Sequence, residues 1–417
     1  MNMAKKPIDV TSEIGQLQRV VLHKPGQELV GMKADEFEKC WIHDAFYLDY
    51  AQMEHDAFAK ILRDEGAEVL YMEDLLAETL DQHPEAKKAF LDEYTSQLVM
   101  TDPELLPLVR AKLESIEDNA AFVQKALLGM RLHELELANG PKTLARLDGD
   151  GLAPDDLVVY PMPSSYFSRD PIASISNGVS LHRMYYNQRS REVPFYKTFL
   201  TYHDDFAGTP FWYDNQDKAH IEGGDVLNIN KTTLAIGLSQ RTEAAAIDKL
   251  AKNLFWGPVP STIETVYAIK IPWGYETMHL DTVCTQIDYD KFTVYPGMYD
   301  ELKAYRLRKG DNPGEVIVDE LVSDLKHILE MATGLDEVTL LECGGGDSVE
   351  ASREQWNDGS NTLAIAPGKV CVYERNVVTN RLLEQAGIQL CVMPSEELSR
   401  GRGGPRCMSM PFARAAI

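Results

Sequence analysis

Apolar and polar positions change texture three times along the chain. Residues 16–26, Gln-Leu-Gln-Arg-Val-Val-Leu-His-Lys-Pro-Gly, predict a strand closed by a Pro-Gly turn. Residues 50–66 carry Met53, Phe58, Ile61 and Leu62 at helical spacing, with Gly66 as the stop, and residues 67–71 predict the next strand. From Leu76 to Ala153 strand-type runs vanish and Leu, Ala, Glu and Lys dominate. Asp102-Pro103-Glu104 reads as an N-cap with proline at the first helical position, and Gly140-Pro141 as a break. This stretch predicts four or five helices inserted into another domain. After Leu157 strands return as hairpin-like units: Ile172–Leu181 around Asn177-Gly178, Val226–Ile236 around Asn230-Lys231, and Asn361–Val372 around Pro367-Gly368. Strand-rich units recurring every 40–60 residues suggest a propeller-like assembly of α/β blades, in which strand ends converge and distant side chains meet.

Charge narrows the partners. Lys+Arg number 41 against Asp+Glu 65, a net −24, and such a surface repels phosphate backbones, which argues against nucleic acid. The same acidity draws cationic small molecules, although most of it is solvated surface. No apolar h-region follows Lys5-Lys6-Pro7 and no apolar run is long enough to span a membrane, so a soluble, cytoplasmic protein is expected. Six cysteines in 417 residues do not make a disulfide framework, and Cys284, Cys371 and Cys391 read as inert buried thiols.

Cys407 differs. It follows Gly401-Arg402-Gly403-Gly404-Pro405-Arg406, where glycines allow close backbone approach and two arginines are expected to favour the thiolate. His279 and Asp281 are two apart in an expected strand, which would put both on one face as a His–carboxylate acid/base pair. Glu222 precedes Gly223-Gly224 at the start of an apolar run, with an echo in Glu342-Cys343-Gly344-Gly345-Gly346-Asp347. Asp170 sits in Phe167-Ser168-Arg169-Asp170-Pro171. Each alone also fits a core ion pair or a turn. Cys407 lacks a second Cys or His at ligand spacing, so a metal is not expected. Several carboxylates around one thiol suit a planar guanidinium cation.

Together these motifs resemble the arginine deiminase family of the guanidine-modifying (pentein) superfamily. The resemblance runs through Ser12-Glu13-Ile14-Gly15, His23-Lys24-Pro25-Gly26, Phe167-Ser168-Arg169-Asp170-Pro171, Glu222-Gly223-Gly224-Asp225 and Met278-His279-Leu280-Asp281-Thr282-Val283. It continues in Cys343-Gly344-Gly345-Gly346-Asp347, Gln355-Trp356-Asn357-Asp358-Gly359-Ser360-Asn361 and Arg406-Cys407-Met408-Ser409-Met410-Pro411. It implies an α/β fold, a five-bladed α/β propeller of residues 1–75 and 154–417 with a helical bundle, 76–153, inserted. It also implies hydrolysis of free L-arginine to L-citrulline and ammonia without a cofactor, in a homo-oligomer of two or more chains.

By resemblance Cys407 is the nucleophile and His279 the proton shuttle. Asp170 and Asp281 grip the guanidinium, with Glu222 beside the histidine. Arg189 and Arg241 hold the substrate carboxylate, Arg402 is a mobile arginine beside the nucleophile, and Phe167, Ser164 and Asp44 complete the substrate contacts. Two positions depart from the family pattern. Ser164 stands where an asparagine is usual, and Ile42-His43-Asp44 replaces Phe-Asp-Asp, so recognition of the amino-acid end is expected to be altered. Related guanidines such as agmatine, amidino transfer, metal-assisted hydrolysis and a silent binding protein are the alternatives.

Overall fold

The computed structural model describes residues 6–42, 44–100, 102–136, 144, 148, 152–274 and 276–417. His43 and the Gly140-Pro141 break lie outside the described residues, as does most of 137–151.

One wiring recurs in five sheets: an antiparallel pair, then a helix, then a third strand parallel to the second. Strands Ile172–Ile175, Gly178–Leu181 and Phe211–Tyr213 form one such unit, with helix Val193–Tyr202 in the crossover. Strands Val226–Asn230, Thr233–Leu238 and Thr265–Lys270 form another, around helix Ala244–Trp256. Cys284–Gln286, Lys291–Val294 and Thr339–Glu342 follow around Leu325–Thr333, and Leu363–Ala366, Lys369–Tyr373 and Gln389–Met393 around Val377–Gln385. A parallel neighbour requires such a crossover, because a tight turn can only reverse the chain.

In the remaining sheet the order is non-local. Leu17–Leu22 pairs parallel with Glu68–Tyr71 across helix Leu48–Asp64, but its antiparallel partner is Met410–Arg414. This pairing carries the Cys407 loop to the first unit. The Val226–Lys270 sheet is wider, because a hairpin of Lys303–Lys309 and Val316–Leu321 from the next unit's connection adds to its edge. Outside the helical stretch 72–128 strands and helices alternate, an α/β fold.

The expected hairpins form at Asn177-Gly178, Asn230-Lys231 and Pro367-Gly368; Gly368, at φ +69°, takes the left-handed conformation that this two-residue turn needs. Helix Leu48–Asp64 buries Phe58 and Leu62 as its pattern predicts, whereas Met53 is on its outer face. Four helices occupy the Leu/Ala/Glu/Lys-rich stretch among the described residues: Met72–Gln82, Glu85–Ser96, Leu106–Glu114 and Asn119–Leu128. The Asp102 carboxylate accepts the Glu104 N–H at 3.0 Å and starts the turn that leads into the third. Leu76, Phe90 and Phe122 from these helices share one core cluster with Ile172, Val179 and Phe199 of the adjoining sheet and helix. Among the described residues no helix is long and apolar enough to cross a membrane. All six cysteines are free thiols; five are buried and Cys391 is half-buried.

Candidate active site

The loop Glu222-Gly223-Gly224-Asp225 is built by close approach. A Cβ on Gly224 would lie 2.6 Å from the His279 ring, and one on Gly223 would lie 2.0 Å from the Arg169 carbonyl oxygen. Glycine is therefore required at both positions. The Asp225 carboxylate accepts from Ser239 Oγ at 2.7 Å, Thr242 Oγ1 at 2.6 Å and the Leu280 N–H at 2.8 Å. It thus joins three segments and fixes the turn that presents His279. Burial pushes this carboxyl up to about 6.

His279 and Asp281 do not lie on a strand. His279 is extended and caps a single helical turn, Leu280–Val283, with the Thr282 hydroxyl donating to its carbonyl at 2.7 Å. The pair converges on the site through this turn rather than through strand alternation. His279 Nε2 is 2.8 Å from Glu222 Oε2, and Nδ1 is 3.8 Å from Asp170 Oδ1. Burial lowers the imidazole pKa, but Asp170 and Glu222 outweigh it and carry it to about 9. His279 is an imidazolium at neutral pH. Burial pushes Glu222 up, yet Arg241, at 3.2 Å, and His279 hold it well below the usual carboxylate range.

Cys407 is positioned by Asn361, whose Oδ1 accepts the Cys407 N–H at 3.2 Å while its Nδ2 donates to the Asp281 carbonyl at 3.0 Å. One asparagine thus ties the thiol loop to the His279 turn. Cys407 Sγ lies 3.8 Å from Asp281 Oδ2. Burial raises the thiol pKa first, and Asp281, Asp170 and Asp358 raise it further, well above the ordinary value. The sequence expectation of a thiolate favoured by two arginines fails here for a geometric reason. Arg406 is paired with Glu13, at 3.0 and 3.2 Å, and with Asp281 at 2.7 Å, so its charge is already balanced. Arg402 lies over the Trp356 ring, 3.5 Å from its centroid.

Arg189 Nη1 donates to Asp170 Oδ2 at 2.7 Å, and its other nitrogens hold Glu192 at 2.9 and 2.8 Å. Arg241 also lies over Tyr186, 4.3 Å from the ring centroid. Ser164, Phe167, Asp170, Arg189, Arg241, His279, Arg402 and Cys407 line one cavity of about 50 Å³, room for a few waters and too little for an amino acid. The buried Glu222 and Asp281 adjoin it through His279 and Cys407. Asp44 is not brought in. It faces a separate outer cavity of about 960 Å³, ion-paired to Arg400, and Arg402 lines both spaces. Asp170, Glu222 and His279 place donor atoms within 4.8 Å of one another, a spacing a cation can bridge. Arg189 and Arg241, however, already pair with the two acids at 2.7 and 3.2 Å.

A family model described as Arginine deiminase matches residues 40–414. Over 411 residues the chain is 45% identical to an arginine deiminase of Treponema denticola, covering 98% of this chain and 99% of that protein. The chain belongs to the arginine deiminase family. An arginine deiminase of Clostridium perfringens is 44% identical over 412 residues, covering 98% of each chain. Among solved structures, the amidinotransferase SxtG of Microseira wollei aligns at a TM-score of 0.54 and 14% identity, covering 99% of this chain and 98% of that one. An inosamine-phosphate amidinotransferase of Streptomyces griseus aligns at 0.50 and 14%, covering 98% and 97%. At that identity the likeness concerns the fold.

In this member of the family several groups matter that sequence reasoning left without a role. Glu13 balances Arg406, Asp225 orients the His279 turn, and Asn361 joins that turn to Cys407. Glu13 and Asn361 lie inside motifs already singled out. Their partners lie far along the chain, so the pairings themselves leave no local pattern.

Proposed function

We propose that this protein hydrolyses free L-arginine to L-citrulline and ammonia through a covalent amidino-thioether on Cys407. The observation that carries the reading is the convergence of Cys407 and imidazolium His279 with Asp170, Glu222 and Asp281 at one cavity. The family membership supports it independently.

In this reading Asp170 and Asp281 take the substrate's guanidinium N–H groups. Both already accept guanidinium N–H groups, from Arg189 and Arg406, at 2.7 Å. The substrate's positive charge offsets the acids that raise the Cys407 pKa, so the thiol releases its proton to solvent and stands as a thiolate beside imidazolium His279. The sulfur then adds to the guanidinium carbon. His279 gives its proton to the departing nitrogen, the C–N bond breaks, and ammonia leaves. Neutral His279 next takes a proton from water, the hydroxide adds to the same carbon, the C–S bond breaks to return the thiolate, and the new hydroxyl loses its proton to solvent as citrulline leaves. Attack on a guanidinium discharges positive charge, so no oxyanion hole is needed. Arg189 and Arg241 hold the amino-acid carboxylate once they exchange it for their present acids, and Phe167 and Ser164 flank the chain. Arg402 must shift for a cavity of about 50 Å³ to admit arginine.

We read the five like-wired sheets as the blades of a five-bladed α/β propeller, with Leu17–Leu22 and Met410–Arg414 joined in one blade. Residues 1–75 and 154–417 form its catalytic body and 76–153 the insertion. The same reading makes it a cytoplasmic homo-oligomer.

The test is purified protein given arginine or agmatine, with citrulline, ammonia and the mass of the Cys407 peptide followed after acid quench. Citrulline and ammonia in equal amounts, with a transient adduct on Cys407, are expected. An amidino group moved onto added glycine without ammonia would instead establish a transferase.

A further inference from the structure

Tyr186 touches both arginines assigned to the substrate's carboxylate, and all three residues line the inner cavity. Its carbonyl accepts the Arg189 N–H at 2.9 Å, at the start of the short turn Asn187–Glu192 that carries Arg189. Its ring lies against the Arg241 guanidinium, 4.3 Å from centroid to carbon. The ring is held in turn by Trp41, whose centroid is 3.7 Å away, and edge-on by Tyr185 at 4.9 Å. Trp41 also lines the cavity and adopts φ +58°, a conformation that costs free energy for a bulky residue.

The two arginines are tied down differently. Arg189 spends its nitrogens on carboxylates, Nη1 on Asp170 and Nε and Nη2 on Glu192. Arg241 is 7% exposed and donates from Nη1 to Glu222 at 3.2 Å, while among the described residues its buried Nε has no hydrogen-bond partner. The face of Tyr186 supports this guanidinium without using any of its N–H groups, because the attraction is to the ring quadrupole. That attraction tolerates a turn of the guanidinium over the ring, whereas a hydrogen bond weakens steeply off its axis. When Arg241 exchanges Glu222 for a ligand carboxylate, the ring contact is therefore the one that need not break.

We propose that Tyr186 is a positioning residue for the carboxylate end of the substrate: its carbonyl sets Arg189, and its ring keeps Arg241 in place while Glu222 is exchanged for the carboxylate. The inference rests on reading Arg241 as a carboxylate holder.

Two measurements test it. In the first, protein carrying isotope-labelled arginine reports the Arg241 Nε–H resonance, assigned by its loss in Arg241→Lys. The Tyr186 ring current should displace this resonance; Tyr186→Leu should abolish the displacement and Tyr186→Phe should keep it. A resonance that Tyr186→Leu leaves in place overturns the contact. In the second, calorimetry on Cys407→Ser protein, in which the ligand is not consumed, gives affinities for L-arginine and agmatine. Tyr186→Leu should weaken L-arginine by about three- to tenfold. It should weaken agmatine, which has no carboxylate, by less than about twofold, and L-arginine by no more than that in the Arg241→Met background. Tyr186→Phe restores the ring and should bind both ligands as the parent does. Equal losses for the two ligands, no loss for either, or Tyr186→Phe behaving like Tyr186→Leu overturns the proposal. Should Tyr186→Leu not fold, Tyr186→Met, which keeps bulk without the ring, takes its place in both measurements. If Cys407→Ser with Tyr186 intact binds no L-arginine, the substrate reading falls and the carboxylate role with it. Intact L-arginine binding with an unselective loss in Tyr186→Leu is a failure of this inference alone.

Discussion

Arg189 Nη1 lies 2.7 Å from Asp170 Oδ2, so an internal guanidinium already rests on an acid assigned to the substrate's guanidinium. The contact also sets the limits of a mutational test. Removing Arg189 leaves Glu192 buried without its cation and Asp170 with only His279 at 3.8 Å, and breaking a buried pair in this way costs about 3–5 kcal/mol. Arg189→Met should therefore lower the thermal midpoint by several degrees. An unchanged melting curve would show that the network contributes nothing to stability.

Arg241 is the cleaner probe of the amino-acid end, since its principal contact is a single carboxylate at 3.2 Å. Arg241→Ala should reduce kcat/KM for arginine by roughly one to two decades, a loss of about 1.5–3 kcal/mol, and hurt agmatine much less. Agmatine has no carboxylate to lose. Equal losses for both substrates would make Arg241 structural.

Cys407→Ser should abolish turnover while leaving the fold intact. The serine hydroxyl has a far higher pKa than a thiol, and His279 is already protonated and cannot take its proton. Citrulline formation should fall by orders of magnitude with the circular dichroism spectrum unchanged. Substantial residual rate in protein free of wild type would remove Cys407 from the mechanism.

His279 links activity and stability to pH. Its folded pKa, about 9, lies above the ordinary 6.5, so the stabilisation is fully present below 6.5 and is lost as pH rises through 9. The difference is on the order of a few kcal/mol. Denaturant midpoints should fall across this window, and His279→Asn should flatten the fall. Some slope should persist, because His23, carried up to about 10 chiefly by Glu73 and Glu28 against burial, titrates in the same direction. Glu222→Gln should move the alkaline limb of kcat to lower pH, since the imidazolium loses a charged partner. A limb that stays in place would mean that Glu222 does not support the His279 proton.

Ser164 lines the cavity, and its carbonyl accepts from Arg189 Nη2 at 3.4 Å. Ser164→Asn adds an amide with both a donor and an acceptor, away from the reacting carbon, so it should lower KM a few-fold with little change in kcat. A raised KM would show that the pocket has re-formed around the smaller side chain.

Much of this protein follows from sequence alone. Alternation and turn residues located the hairpins at Asn177-Gly178, Asn230-Lys231 and Pro367-Gly368, because these signals act between neighbours. The lack of strand signals after Leu76 likewise announced the helices, although the first begins at Met72, where an extended strand end passes directly into the helix. Cys407, His279, Glu222 and Asp170 stood out as residue types in unusual company. Two residues were too short a window to tell a strand from a capped helical turn at His279.

Tertiary structure decided protonation and pairing. Arg406 and Glu13, 393 residues apart, meet because Met410–Arg414 pairs with Leu17–Leu22, and that meeting takes from Cys407 the cation its neighbours in sequence seemed to provide. It also decided that Asp44 stands in the outer cavity, where Arg400 holds it. Patterns along a chain report periodicity over a few residues. The charge of a buried group depends on desolvation and on cations several ångströms away, and only the closed fold brings these together.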